Sequence, residues 1–293
     1  MEKLNIGPIE NHRQREEGVL IYPVYSRRSQ GLSIGINLFP DHKRCSFDCP
    51  YCEVFPFRQD TPFSLELMEK QLHAELSAAQ NRGMRVKDIC FSGNGEPSLA
   101  PDFFAALDSA ARIRDELVPD AALVLITNGT GLLKDQIFQG LRRAASGPKA
   151  LHIWLKLDAG TAVWYRLMAR SAVPFEGLIR AIKEFVACAP ITIQTMLCAI
   201  QGKPPPQAEA AAWEGLVVEL AGIGAGARCR TGERAPGIQD VQLYGKARPA
   251  PEDPLATALA PVYLAERAAS LKAALEGSPL PRTRDAIPIR VFP

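Results

Sequence analysis

The chain has no long hydrophobic run. None of its apolar stretches reaches the ~18 residues that a membrane-spanning helix requires. The opening MEKLNIGPIENHRQREEG has none of the apolar core of a secretory signal. A cytoplasmic protein with no membrane partner is the expectation. Charge of one sign is also missing: 34 Lys and Arg against 32 Asp and Glu leave a net charge of +2. Composition therefore gives no argument for broad nucleic-acid binding, while a local basic patch stays open. Histidine is scarce, with four residues in the whole chain, and His12, His73 and His152 stand in no ligand-like pattern. No internal repeat or low-complexity tract is present. What remains is 47% hydrophobic and 23% charged, enough for the core of one large α/β domain or two ordinary ones.

Short apolar runs rich in β-branched residues recur: LSIGINLF (32–39), VKDICFSG (86–93), ALVLITNG (122–129), LHIWLKLD (151–158), ITIQTMLCAI (191–200) and IQDVQLYG (238–245). Runs of this length that end in glycine or polar clusters predict buried parallel strands. Helical patterns lie between them. Leu65, Met68, Leu72, Leu76 and Ala79 repeat every three or four residues behind Ser64, a suitable N-cap. Phe104, Leu107 and Ala111 follow Pro101, and Phe175, Leu178, Ile182 and Phe185 repeat the design, as does AEAAAWEGLVVELAG (208–222). Strand then helix, six times, predicts a β/α barrel or an open part of one. GKPPPQ (202–207) reads as a stiff exposed linker, and GIGAGARCRTGERAPG (222–237) as a flexible loop. Residues 254–277 predict a C-terminal helix broken or kinked near Pro261.

The polar motifs fall where the strands end. RCSFDCPYCE follows strand one, GNGEP (93–97) strand two, TNGT (127–130) strand three, LDAG (157–160) strand four and ARP (247–249) strand six. In β/α barrels these loops gather at one mouth, so motifs distant in sequence are expected to converge.

Cys45, Cys49 and Cys52 are the strongest of them. Reduced cysteines clustered this tightly in a cytoplasmic chain are suited to metal rather than disulfides. Soft thiolates select zinc or an iron–sulfur cluster. Structural zinc wants four protein ligands, and His42 before CxxxCxxC is not a usual zinc spacing. A [4Fe–4S] cluster held by three cysteines leaves one iron open to a substrate or cofactor. From spacing alone, zinc or merely reduced cysteines stay open. Glu96, between glycines at a strand end, suits a ligand's ammonium group or an exposed tight turn. Asn128 suits a ligand or an Asn-Gly turn. Lys156 and Asp158 alternate with leucines and so face one side of their strand, into the barrel, as a ligand pair or a structural one. Arg170 suits a carboxylate or simple solvation. Cys90 and Cys198 sit in predicted strands as small buried hydrophobes.

Together these motifs are similar to the radical S-adenosylmethionine (radical SAM) superfamily. CxxxCxxC with Tyr51 before its last cysteine is the superfamily marker. GNGEP resembles its glycine–glycine–glutamate motif with Asn94 as the variant position. SRRSQGLSIGINLFPDHKRCSFDCPYCE, FSGNGEPSLAPDF, LITNGTGLL, KLDAG with Arg170, and VQLYGKARP resemble the wyosine-synthase-like bacterial branch, from about Ser26 to Pro249. The resemblance implies an α/β fold, a partial (β/α)6 TIM-type barrel with a short N-terminal segment and a C-terminal helical extension. It implies one domain over 1–293, with a core of about 26–249 and an extension over 250–293. It implies a [4Fe–4S] cluster on Cys45, Cys49 and Cys52 and S-adenosylmethionine on its open iron. Gly93, Asn94, Gly95 and Glu96 would hold the methionine part, and the Tyr51 backbone the adenine edge. Asn128, Asp158 and Arg170 would meet ribose or carboxylate, and Met196 would pack by adenine. Reductive cleavage to a 5′-deoxyadenosyl radical, a flavodoxin or ferredoxin as reductant, and hydrogen abstraction from a substrate follow from the same resemblance. Phe39, Phe47, Phe55 and Phe57 are candidates for an apolar shield or for plain core.

The chain departs from the wyosine enzymes in one respect. Residues 1–44 contain no cysteine, and Lys3 is the only lysine before Lys43. Neither a second cluster nor a pyruvate-binding lysine is placed in that segment. Three functions stay open: a radical SAM enzyme acting on tRNA or another RNA, with Arg13, Arg15, Arg27, Arg28 and Arg44 as a phosphate patch; one acting on a small metabolite, peptide or glycyl-radical partner; and a non-catalytic Fe–S electron-transfer protein.

Overall fold

A computed structural model describes residues 19–54, 56–147, 150–223, 235–248, 250, 256–278 and 287–293. These residues pack as two compact units. The first draws on Met1–Cys45 and Glu53–Thr127, the second on Ser46–Cys52 and Asn128–Pro293. Phe55, Arg13, Arg15, His12, Cys229, Pro249 and most of the glycine-rich loop lie outside the described residues.

The first unit is built on β1 (Ile21–Ser26), β2 (Gly31–Ile36), β3 (Val86–Phe91) and β4 (Ala122–Thr127). β1 and β2 form an antiparallel hairpin with Ile21 opposite Ile36 and Ser26 opposite Gly31. β2, β3 and β4 run parallel. Parallel neighbours require a crossover, supplied here by α1 (Leu65–Asn81) and α2 (Phe103–Leu117). Helix α1 starts where expected, since the Ser64 hydroxyl accepts from Leu67 N at 3.2 Å. Its buried face is the predicted stripe of Met68, Leu72, Leu76 and Ala79. Each of the three larger side chains contributes roughly 1.5–3 kcal/mol on burial.

The second unit carries β5 (Leu151–Lys156), β6 (Pro190–Ile200), β7 (Gly237–Gly245) and β9 (Ile289–Phe292), paired in that order and all parallel. β6 is buried along its whole length. Helices α3 (Asp135–Ser146), α4 (Ala162–Met168), α5 (Phe175–Val186), α6 (Gln207–Gly222) and α7 (Pro261–Gly277) complete it. The six expected parallel strands are β2 to β7, and their alternation with helices is the α/β architecture of a partial TIM-type barrel.

Two differences stand out. β1 adds an antiparallel partner to β2 that period and composition did not mark. The C-terminal extension is not one kinked helix: Ala256–Ala258 forms β8, antiparallel to β6. Helix α7 begins at Pro261. Proline lacks the N–H that the first helical turn leaves unbonded in any case, so it starts this helix instead of bending it. Among the described residues no helix is long and apolar enough to cross a membrane.

Candidate functional site

In the first unit, the ends of β2 and β3 are laced together around Asn37, which is 1% exposed. Its Oδ1 accepts from Phe39 N and from Asn94 N, both at 3.2 Å. Asn94 returns a bond from Nδ2 to Phe39 O at 3.0 Å. The segment leading to Cys45 then meets the GNGEP turn backbone to backbone. Arg44 N donates to Asn94 O at 3.0 Å and Glu96 N donates to Arg44 O at 2.8 Å. This approach explains the glycines. Gly93 has φ +117°, and a Cβ on Gly95 would lie 1.9 Å from Arg44 O. Only a residue without a side chain admits that contact.

Glu96 is not an exposed turn residue. It is 2% exposed. Its Oε1 accepts from Ser98 N at 3.1 Å, Ser98 Oγ at 2.6 Å and Thr127 Oγ1 at 2.7 Å. The carboxylate thus caps the short 3₁₀ turn Pro97–Leu99 and is held in one orientation by two hydroxyls. His42 is taken up elsewhere: Nδ1 faces Asp41 at 2.7 Å and Nε2 accepts from Arg44 Nε at 2.5 Å. Cys45 itself is exposed.

In the second unit, Ser46–Cys52 is fastened at several points. The Ser46 hydroxyl bonds Thr130 Oγ1 at 2.6 Å and accepts from Asn128 Nδ2 at 3.0 Å. Asn128 Oδ1 accepts from Thr130 N at 3.0 Å and Oγ1 at 2.8 Å. Ser171 Oγ donates to Ser46 O at 2.7 Å, and Asp48 N donates to Ala169 O at 2.8 Å, at the end of α4. Phe47 meets Tyr165 edge to face at 5.6 Å. Cys49 to Cys52 is a β-turn, Cys52 N to Cys49 O at 2.9 Å, with Pro50 at the position where its fixed φ is favourable. Cys49 and Cys52 are half-buried, and none of Cys45, Cys49 and Cys52 is in a disulfide among the described residues. Among the described residues no three His, Cys, Asp or Glu side chains gather as ligands of one metal ion.

The Tyr51 hydroxyl donates to Asp158 Oδ2. Asp158 Oδ1 accepts from Met196 N at 2.8 Å. Lys156 Nζ lies 3.3 Å from Asp158 Oδ2 and donates to the Tyr244 hydroxyl. It also sits 4.9 Å from the Tyr51 ring centre and 5.0 Å from that of Tyr244. Burial pulls the Lys156 ammonium toward neutrality, but Asp158, Tyr244 and Cys49 outweigh it and raise its pKa above the ordinary value. Lys156 is a fixed cation. Burial, with Asp158, Cys49 and Tyr244 adding to it, also raises the Tyr51 phenol well above its usual range. The phenol stays protonated and remains a donor.

Met196 is buried and lines a cavity of about 20 Å³ with Asp158, Trp164 and Trp213, room for little more than one water. Arg170 is exposed and left-handed at φ +47°, just past the end of α4. Burial raises the thiols of Cys90 and Cys198 to about 12, which suits their place in strands. Phe39 and Phe47 are buried. The structure adds Asn37 and Thr127 in the first unit, and Ser46, Thr130, Ser171 and Tyr244 in the second, to the residues expected from sequence. Tyr244, two residues beyond Gln242 on one strand face, carries a period-two signal; Thr127 and Thr130 lie in TNGT and Ser46 in the cysteine run, while Asn37 and Ser171 have no motif around them.

No protein-family model matches the chain. A segment of 130 residues, 42% of this chain, is 25% identical to a UPF0026 protein of Helicobacter pylori and spans 39% of it. The match thus covers about two fifths of that curated relative. Solved structures match over far more. A radical SAM methyltransferase from Sphaerobacter thermophilus aligns with TM-score 0.55 at 18% identity, over 89% of this chain and 66% of that one. TYW1 with a lysine–pyruvate adduct bound aligns with TM-score 0.52 at 15% identity, over 84% and 74%. Streptococcus suis SuiB bound to S-adenosylmethionine gives 0.52 at 14%, over 85% and 45%. The chain shares the fold of these proteins.

Proposed function

We propose that the chain is a radical SAM enzyme. Cys45, Cys49 and Cys52 hold a [4Fe–4S] cluster, and the turn Gly93, Asn94, Gly95 with Glu96 holds the methionine end of S-adenosylmethionine. The carrying observation is the bridge between Arg44 and Gly95. It fixes the residue before the first cysteine directly against the turn that presents the glutamate. The donor set suits the group: three cysteine thiols, none fully buried, of the soft kind that iron–sulfur clusters select. A four-iron cluster is wider than one ion, so its ligands need not meet as ligands of a single ion do. SuiB, which shares the fold, has S-adenosylmethionine bound, and this supports the same ligand here.

When bound, cluster and S-adenosylmethionine supply a one-electron reductive cleavage and a 5′-deoxyadenosyl radical that takes hydrogen from a substrate. The chain's own residues do the holding. Glu96, oriented by Ser98 and Thr127, accepts from the methionine ammonium as a charge-assisted bond. The Tyr51 backbone meets the adenine edge and Arg170 meets ribose or carboxylate; Asn128 reaches them only by giving up a bond to Ser46 or Thr130. Met196 packs by adenine. Asp158 reaches a nucleoside only by giving up a bond to Tyr51, Lys156 or Met196. A flavodoxin or ferredoxin is the reductant, and the cytoplasm the compartment.

RNA is the proposed substrate class, supported by exposed Arg44 beside the first cysteine; Arg27 and Arg28 lie in the β1–β2 turn at the other end of β2 and join no patch with it. A phosphate patch gives tRNA binding that weakens steeply with salt; salt-independent binding, or none, moves the substrate to the small-molecule or peptide class. The reaction is tested by anaerobic reconstitution, dithionite reduction and addition of S-adenosylmethionine. The expected product is 5′-deoxyadenosine, lost in Glu96→Gln. An intact, reducible cluster that yields no 5′-deoxyadenosine refutes the enzyme and leaves an electron-transfer protein.

A further inference from the structure

The Tyr51 side chain joins the cysteine segment to the sheet of its own unit. Its hydroxyl reaches Asp158 across 107 positions of sequence. The acceptor is itself immobilised. Asp158 is bound by the β6 backbone through Met196 N at 2.8 Å and by Lys156 at 3.3 Å. Lys156 is bound in turn by Tyr244 on β7. Three neighbouring strands therefore converge on one carboxylate, and the tyrosine between two candidate ligands docks on it. Tyr51 is 8% exposed and the Asp158 side chain 8%, so water does not substitute readily for either partner. The hydrogen bond is charge-assisted and buried, the strong kind.

We propose that Tyr51 is a positioning residue: its phenol, latched to Asp158, orders Ser46–Cys52 so that Cys49 and Cys52 are held in place before any cluster arrives. The inference rests on reading those cysteines as cluster ligands, but the order of the segment belongs to the metal-free chain. A preordered loop binds without first losing the freedom of its residues. The other fastenings, Asp48 N to Ala169 O and Ser171 Oγ to Ser46 O, hold the front of the segment. The back, Cys49 to Cys52, has the latch and its own turn.

The test is amide hydrogen exchange on the metal-free full chain, wild type against Tyr51→Phe. The reporters are the hydrogen-bonded amides of Asp48 and Cys52, with β6 residues 191–195 as the internal control. Removing one buried charge-assisted bond lowers the local opening free energy enough to speed exchange roughly tenfold to hundredfold. The expected result is that acceleration at Cys52, a smaller one at Asp48, and no change in β6. Exchange at Cys52 within twofold of wild type overturns the proposal. Equal acceleration in β6 overturns it too, because the bond would then support the whole unit. A second readout is the rate at which a chelator strips iron from reconstituted protein, expected to rise by a similar factor. Unchanged stripping beside faster exchange overturns the role toward the cluster. A wild-type chain that takes up no iron refutes the function proposed above and leaves the exchange result to decide the latch.

Discussion

Replacing Lys156 by methionine puts the electrostatics of this centre to a direct test. Methionine keeps most of the length and apolar contact of the lysine stem, so the change removes chiefly the charge. The Lys156 and Asp158 side chains are 15% and 8% exposed, at 3.3 Å. Taking one partner from a buried pair destabilises by about 3–5 kcal/mol, because the other charge stays buried. Tyr51 and Met196 N still bond Asp158, which places the loss near the low end, about 3 kcal/mol. All three tryptophans, Trp154, Trp164 and Trp213, lie in the second unit, so tryptophan fluorescence in a urea titration follows that unit. Neutralising Asp158 as well should recover much of the loss: Lys156→Met with Asp158→Asn falls at least ~1.5 kcal/mol short of the sum of the single changes. The sign with pH is fixed by the lysine. Its folded pKa is raised, so its contribution is fully present below the unfolded value of about 10.4 and is lost only as pH rises through the folded one. The wild-type advantage from this group is therefore flat from about pH 6 to 9. A Lys156→Met chain within 1 kcal/mol of wild type, or additive losses in the double variant, refutes the account of a buried, mutually dependent pair.

Other outcomes follow from local geometry. Gly95→Ala drives a methyl group into Arg44 O, with Phe39 Cδ2 at 2.9 Å on another side. Backbone cannot give way as a flexible side chain does, so thermal unfolding of the first unit shifts downward by at least the ~1–3 kcal/mol typical of overpacking, and iron uptake falls; an unchanged midpoint refutes the bridge. Cys90 and Cys198, raised to about 12 by burial, carry a thiolate fraction of about one in ten thousand at pH 8. Mass mapping after brief iodoacetamide treatment of the metal-free chain should find Cys45, Cys49 and Cys52 labelled and these two spared. Their labelling at comparable rates contradicts the buried strands.

Much of the architecture was legible because it rests on local patterns. A period of three or four built α1 on Met68, Leu72 and Leu76, and runs of β-branched residues placed six strands to within three residues. β8 and β9 were not legible. They are three and four residues long, too short for any period; β9 pairs the open side of β7, and β8 pairs the end of β6 past its neighbours. Pro261 misled for a related reason: proline reads alike whether it breaks a helix or opens one, and the preceding strand decides which.

The sequence alone determined the chemistry on offer: three soft thiols in eight residues, a carboxylate among glycines, and a cationic and an anionic residue two apart on a strand. Tertiary structure alone decided what each group meets. It turned Glu96 from a turn residue into a buried, oriented acceptor, spent both oxygens of Asp158 on Tyr51, Lys156 and Met196, and made Asn128 a brace for Ser46. The physical reason is range. Periodicity reports which side of an element a residue faces, whereas a hydrogen bond between residues dozens to a hundred positions apart depends on the register of whole strands.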